Sequence, residues 1–90
     1  MAVHVRLPSM LQKFAGGAKV VQAEALTVGA LIASLEASYP GIRGQIMEDN
    51  ELRRFVNIFL NDEDIRFLDS LNTPLKDGDV LAILPALAGG

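Results

Sequence analysis

A chain with one histidine and no cysteine offers few side chains that can act as nucleophile or base. His4 alternates with apolar neighbours in the run Val3 to Leu7, which puts it on the polar side of a strand, where a solvated residue is the simplest reading. No glycine-rich loop with a lysine joins a strand to a helix, so no cradle for nucleotide phosphates is visible. Asp62, Glu63 and Asp64 are adjacent acids, but they lack the spacing of a calcium loop and read as a solvated turn. Neither a catalytic nucleophile paired with a base nor a metal site is expected. What remains is the end of the sequence, Gly89-Gly90. At average usage two such glycines coincide in about one chain in 200, so the pair alone says little. Its setting says more: the glycines follow soon after the last strand-like run, and no charge occurs from Val80 onward.

A carboxyl group at Gly90, carried on Ala86, Leu87, Ala88 and Gly89, is expected to be the working group. Glycine has no Cβ, so Gly89 and Gly90 can pass a narrow channel and adopt backbone angles closed to other residues. An enzyme that admits such a stalk can adenylate the carboxylate with ATP. A sulfur donor can then displace AMP and leave a thiocarboxylate, a nucleophilic sulfur on a protein arm.

The elements that must position this end can be read from the pattern. Val3, Val5 and Leu7 alternate with His4 and Arg6, as in a half-buried strand, and Pro8 ends it. A loop closing on Gly16-Gly17 leads to a second strand from Lys19 to Glu24, with Val21 and Ala23 inward. Thr27 is a suitable N-cap. Behind it Val28, Leu31, Ile32, Leu35 and Tyr39 form one helical stripe, with Ser34 and Glu36 off it, and Pro40-Gly41 stops the helix. The segment from Ile42 to Arg54 is mixed and polar, with room for a short second helix. Phe55 to Leu60 reads as a strand with Val56, Ile58 and Leu60 on one face and Phe55, Asn57 and Phe59 on the other. Asn61-Asp62 begins a turn. Ile65, Phe67 and Leu68 read as a short strand or extended piece, Thr73-Pro74 and Asp77-Gly78 as turns, and Val80 to Leu84 as the final strand closed by Pro85.

A hairpin, a helix and two or three further strands give the helix stripe one place to bury itself, a sheet face. If the outer strands pair in parallel, the result is an α+β fold: a ubiquitin-like β-grasp with a mixed four- to five-stranded sheet on one main helix. Residues 1–85 form that domain, and residues 86–90 form a flexible C-terminal Gly-Gly tail.

The net charge is −3 and no segment gathers lysine and arginine, which argues against nucleic acid. The uncharged run from Val80 to Gly90 is too short to span a bilayer, and the first residues lack the order of a secretory signal. A cytoplasmic protein is expected.

The stretch from Arg54 to Gly90 resembles the C-terminal half of ThiS/MoaD-type ubiquitin-like sulfur carriers, closest to their CysO-like branch. The pieces that carry the resemblance are FVN at Phe55 to Asn57, NDEDIRF at Asn61 to Phe67, LKDGD at Leu75 to Asp79 and ILPALAGG at Ile83 to Gly90. The first half agrees in layout and in TVGALI at Thr27 to Ile32. The resemblance implies a carrier that is not itself an enzyme. It also implies activation by a ThiF/MoeB-like adenylyltransferase using ATP and magnesium, no bound cofactor, and covalent sulfur on Gly90. The resemblance does not settle the acceptor: a CysO-like carrier, the favoured reading, would meet a cysteine synthase and later a metalloprotease that trims the product. Two alternatives share the ending: the small subunit of molybdopterin synthase, paired with its large subunit, and a ubiquitin-like protein modifier. A β-grasp interaction module with an incidental Gly-Gly end is a further reading. Phe59, Phe55 and Leu87 are the expected partner-binding residues.

Overall fold

The computed structural model describes residues 2–85. Along them run β1 (Val3–Arg6), α1 (Ser9–Gln12), β2 (Val20–Ala23), α2 (Val28–Ser38), α3 (Ile42–Ile46), β3 (Met47–Glu48), β4 (Glu51–Leu52), β5 (Val56–Leu60), β6 (Glu63–Asp64) and β7 (Val80–Pro85). Five of the strands make one mixed sheet in the order β2-β1-β7-β5-β6, and β3 and β4 form a separate ribbon. β1 pairs antiparallel with β2 and parallel with β7, and β7 pairs antiparallel with β5. The expected hairpin, main helix and parallel outer strands are therefore all present.

The core follows from two periodicities. Val3 and Val5 of β1, Val56, Ile58 and Leu60 of β5, and Leu81 and Ile83 of β7 point to one face and are buried. Val28, Leu31, Ile32 and Leu35 of α2 are buried in the same cluster. Thr27 caps α2, its Oγ1 accepting the Ala30 N–H at 3.2 Å. Gly29 permits a close approach: a Cβ there would lie 3.2 Å from the carbonyl oxygen of Leu71. The helix ends at Ser38, and Gly41 turns the chain at φ +99°. The Glu36 carboxylate accepts the N–H groups of Gly41 and Arg43, each at 2.9 Å. These bonds, Gly41 first, hold its pKa below the ordinary 4.5.

Four segments differ from the sequence expectation. The loop after Pro8 holds α1 and a 3-10 turn, Lys13–Ala15, and presses Leu11 into the core. The polar segment from Ile42 contains α3 and also the β3–β4 ribbon, where buried Ile42, Ile46 and Met47 extend the core. Ile65–Phe67 is a 3-10 turn rather than a strand, because the Asp64 carboxylate accepts the Arg66 N–H at 2.9 Å and closes it. That turn buries Ile65 and leaves Phe67 83% exposed. Pro85 is the last residue of β7, opposite Val56, rather than a residue beyond the strand. The Asn61 N–H donates to the Val80 carbonyl at 2.9 Å. Alternation along the ladder then places the Val56–Pro85 pair where no β5–β7 hydrogen bond is required, so the missing proline N–H is tolerated.

Candidate functional site

Gly90, Gly89, Ala88 and Leu87 lie outside the described residues, as does the expectation of a flexible tail. The platform that precedes them is described to Pro85, and it is the end of the middle strand of the sheet. β7 is flanked by β1 on one side and β5 on the other, so its course is fixed from both edges. Asn57 faces Leu84 and Val56 faces Pro85 across the β5–β7 ladder.

The side chains of β7 that point away from the core are Val80, Ala82 and Leu84. Registers across the sheet align Val20, Arg6, Ala82, Phe59 and Asp64 in one row on this outer face. Ala82 is small, so a depression opens over it between larger neighbours. It has a volume of about 360 Å³ and is lined by Arg6, Leu7, Pro8, Phe59, Asp62 and Leu84, with Ala82 and Ile83. Phe59 forms part of its wall and is half-buried. Leu84 and Val20 remain 44% and 50% exposed. Apolar side chains left open on one face in this way mark a surface able to receive another apolar surface. The exposed Arg6 guanidinium at the edge of the depression makes no hydrogen bond or ion pair among the described residues.

Phe55 does not join this row. It lies one residue before β5, is 49% exposed, and its ring sits under the Arg53 guanidinium at 5.9 Å from the centroid. His4 lies on the outer face beside Val80 and Gln22 and is partly exposed, in keeping with a solvated strand residue. Asp62 and Glu63 are exposed, and Asp64 spends its carboxylate on the turn cap. No three acidic or histidine side chains converge as metal ligands among the described residues. Arg6, Ala82 and Leu84 are members of the surface that sequence reasoning did not single out. The usable signal was the unbroken apolar run of β7: a strand apolar on both faces with one face uncovered has outward residues free for a partner.

The comparisons with known proteins follow this geometry. Residues 5–90 match the ThiS family. The chain is 48% identical over 93 residues to the sulfur carrier protein CysO of Mycobacterium tuberculosis, covering all of both chains. It is 42% identical over 64 residues to small archaeal modifier protein 3 of Haloferax volcanii, covering 71% of this chain and 70% of that one. Among solved structures it is similar to the Amycolatopsis orientalis BexX/CysO complex, with a TM-score of 0.92 and 43% identity over 98% of this chain and 99% of that one. The family match runs through the β-grasp domain to the last residue, and the chain belongs to the ThiS family.

Proposed function

We propose that this protein carries sulfur as a thiocarboxylate on Gly90 and delivers it for cysteine biosynthesis. The observation that carries the reading is the 48% identity to a CysO sulfur carrier in a match that spans the full chain, to its final glycines. The chemistry belongs to partners. A carboxylate oxygen of Gly90 attacks the α-phosphorus of ATP and pyrophosphate leaves, giving an acyl adenylate. A sulfur nucleophile attacks the acyl carbon and AMP departs with the carboxyl oxygen, so one oxygen is exchanged for one sulfur. The protein acts as a co-substrate and contributes the reacting end, its reach and a docking face. Phe59, Ala82 and Leu84, with Arg6 at the rim, form the face that meets the adenylyltransferase or the acceptor.

A second reading has its own support in the 42% identity to a small archaeal modifier. The same acyl adenylate, captured by a lysine amine instead of sulfur, would attach the chain to another protein. The full-length match favours sulfur delivery to a cysteine synthase over the small-subunit role in molybdopterin synthase.

Mass spectrometry tests the carrier reading directly. After incubation with the cognate activating enzyme, ATP, magnesium and a sulfur donor, the intact chain gains the mass of one oxygen-to-sulfur exchange. Removing Gly90 withdraws the carboxyl by one residue, up to ~3.6 Å. Misplacement by 1 Å can cost about 100-fold in catalysis, so the shortened chain stays unmodified. Equal thiocarboxylation of both chains would defeat the reading.

A further inference from the structure

The β6 strand leaves β5 too early. β6 pairs only through Glu63 and Asp64, opposite Leu60 and Phe59, and the chain then enters its 3-10 turn. Among the described residues no strand pairs with the far half of β5 on that side, which leaves an open edge. Asn57 turns its backbone groups toward Leu84, by the alternation set by the Asn61–Val80 bond, and so Val56 turns its N–H and carbonyl to the open edge, where the N–H donates to the Arg53 carbonyl at 3.1 Å and the carbonyl is left for another donor. An exposed strand edge with unpaired groups frays.

One side chain fills the gap. The Arg66 Nη2 donates to the Val56 carbonyl at 3.0 Å, and Nη1 donates to the Asn57 Oδ1 at 2.6 Å. The Arg66 N–H is itself held by the Asp64 carboxylate at 2.9 Å, which aims the side chain back along β5. A planar guanidinium can present two parallel donors in this way, and an ammonium cannot. The two residues it grips, Val56 and Asn57, are those that face Pro85 and Leu84, the last residues of β7 before the terminal segment begins.

We propose that Arg66 is a positioning residue for the terminal segment: its guanidinium replaces the missing stretch of β6, fixes the end of β5, and through it fixes the point from which residues 86–90 start. A carrier whose last strand frays presents its carboxyl from many starting points. Only a fraction of those suit the partner's channel, and apparent affinity falls by that fraction. The enzymatic part of this inference rests on the carrier reading; the structural part does not.

The test compares Arg66→Ala and Arg66→Lys with the unmodified chain in two measurements. In amide hydrogen exchange, both variants speed exchange at Leu84 by roughly 5- to 30-fold, the factor expected when one ordinary stabilising interaction is lost. Val5, at the far side of β7, is unchanged. In thiocarboxylation kinetics with the activating enzyme, both variants raise KM for the carrier by a similar factor with kcat held within about twofold. Unchanged exchange at Leu84 in Arg66→Ala overturns the proposal. Equal acceleration at Leu84 and Val5 also overturns it, since that is general loss of stability. Full recovery of KM in Arg66→Lys overturns it as well, because charge alone would then suffice. Should the unmodified chain fail to accept sulfur at all, the carrier reading falls, and the exchange measurement still decides the role of Arg66.

Discussion

Replacing Leu84 by alanine should divide its effect between folding and binding in proportions set by its exposure. Burying a leucine fully is worth about 1.5 to 3 kcal/mol. Leu84 is 44% exposed in the free chain. A partner that covers the outer face removes that remaining share from water, about 0.7 to 1.3 kcal/mol. The Kd for the activating enzyme should therefore rise roughly 3- to 9-fold, at tenfold per 1.4 kcal/mol. The buried remainder sets the folding loss, about 0.8 to 1.7 kcal/mol. Its neighbour Ile83 is fully buried on the opposite face. Ile83→Val should cost a similar ~0.5 to 1.5 kcal/mol of stability and leave the Kd unchanged. Denaturant unfolding gives the stabilities, and calorimetric titration of folded protein against the activating enzyme gives the affinities. If Leu84→Ala binds as tightly as the parent, or if Ile83→Val weakens binding as much, the outer face is not where the partner docks.

Leu35→Ala, at a helix position 1% exposed beneath the sheet, should lose about 2 to 5 kcal/mol of stability; a loss below about 0.5 kcal/mol would mean that α2 turns another face to the core. Gly89→Val should block thiocarboxylation, read by mass spectrometry, while the unfolding midpoint stays that of the parent; efficient modification would show that the partner's channel tolerates a β-branched residue. Because the folded-state pKa of Glu36 is depressed, its contribution is complete above the ordinary 4.5 and is lost as pH falls through the lower folded value. Glu36→Gln should thus be less stable than the parent at neutral pH and should match it in strong acid, and a difference that persists at both would exclude the carboxylate as the cap of α3.

The outline of the fold was legible because its main elements carry clean periods. β1 and β5 alternate strictly, and α2 places Val28, Leu31, Ile32 and Leu35 on one stripe behind a threonine cap, so local rules and burial agree. The Gly-Gly ending was equally legible, since its argument needs only residue types and chain position. The outer face of the sheet was partly legible: the alternation of β5 places Phe59 on it, whereas Phe55 lies before the strand with its ring near the Arg53 guanidinium.

The sequence by itself determined the helix and which residues of the long strands are buried, and it supplied the Gly-Gly ending on which the carrier proposal rests, because each of these depends on neighbours a few positions away. Tertiary structure decided what depends on residues far apart in the chain. The order β2-β1-β7-β5-β6 sets the last strand between two others, and only that placement puts Arg6, Phe59 and Leu84 around one depression. The early end of β6 creates an open edge that a guanidinium nine residues from Asn57 can fill, and no periodicity records it. A period reports which way a side chain points relative to its own backbone. Which other strand it meets is settled by packing and ladder pairing, where the partners lie tens of residues away.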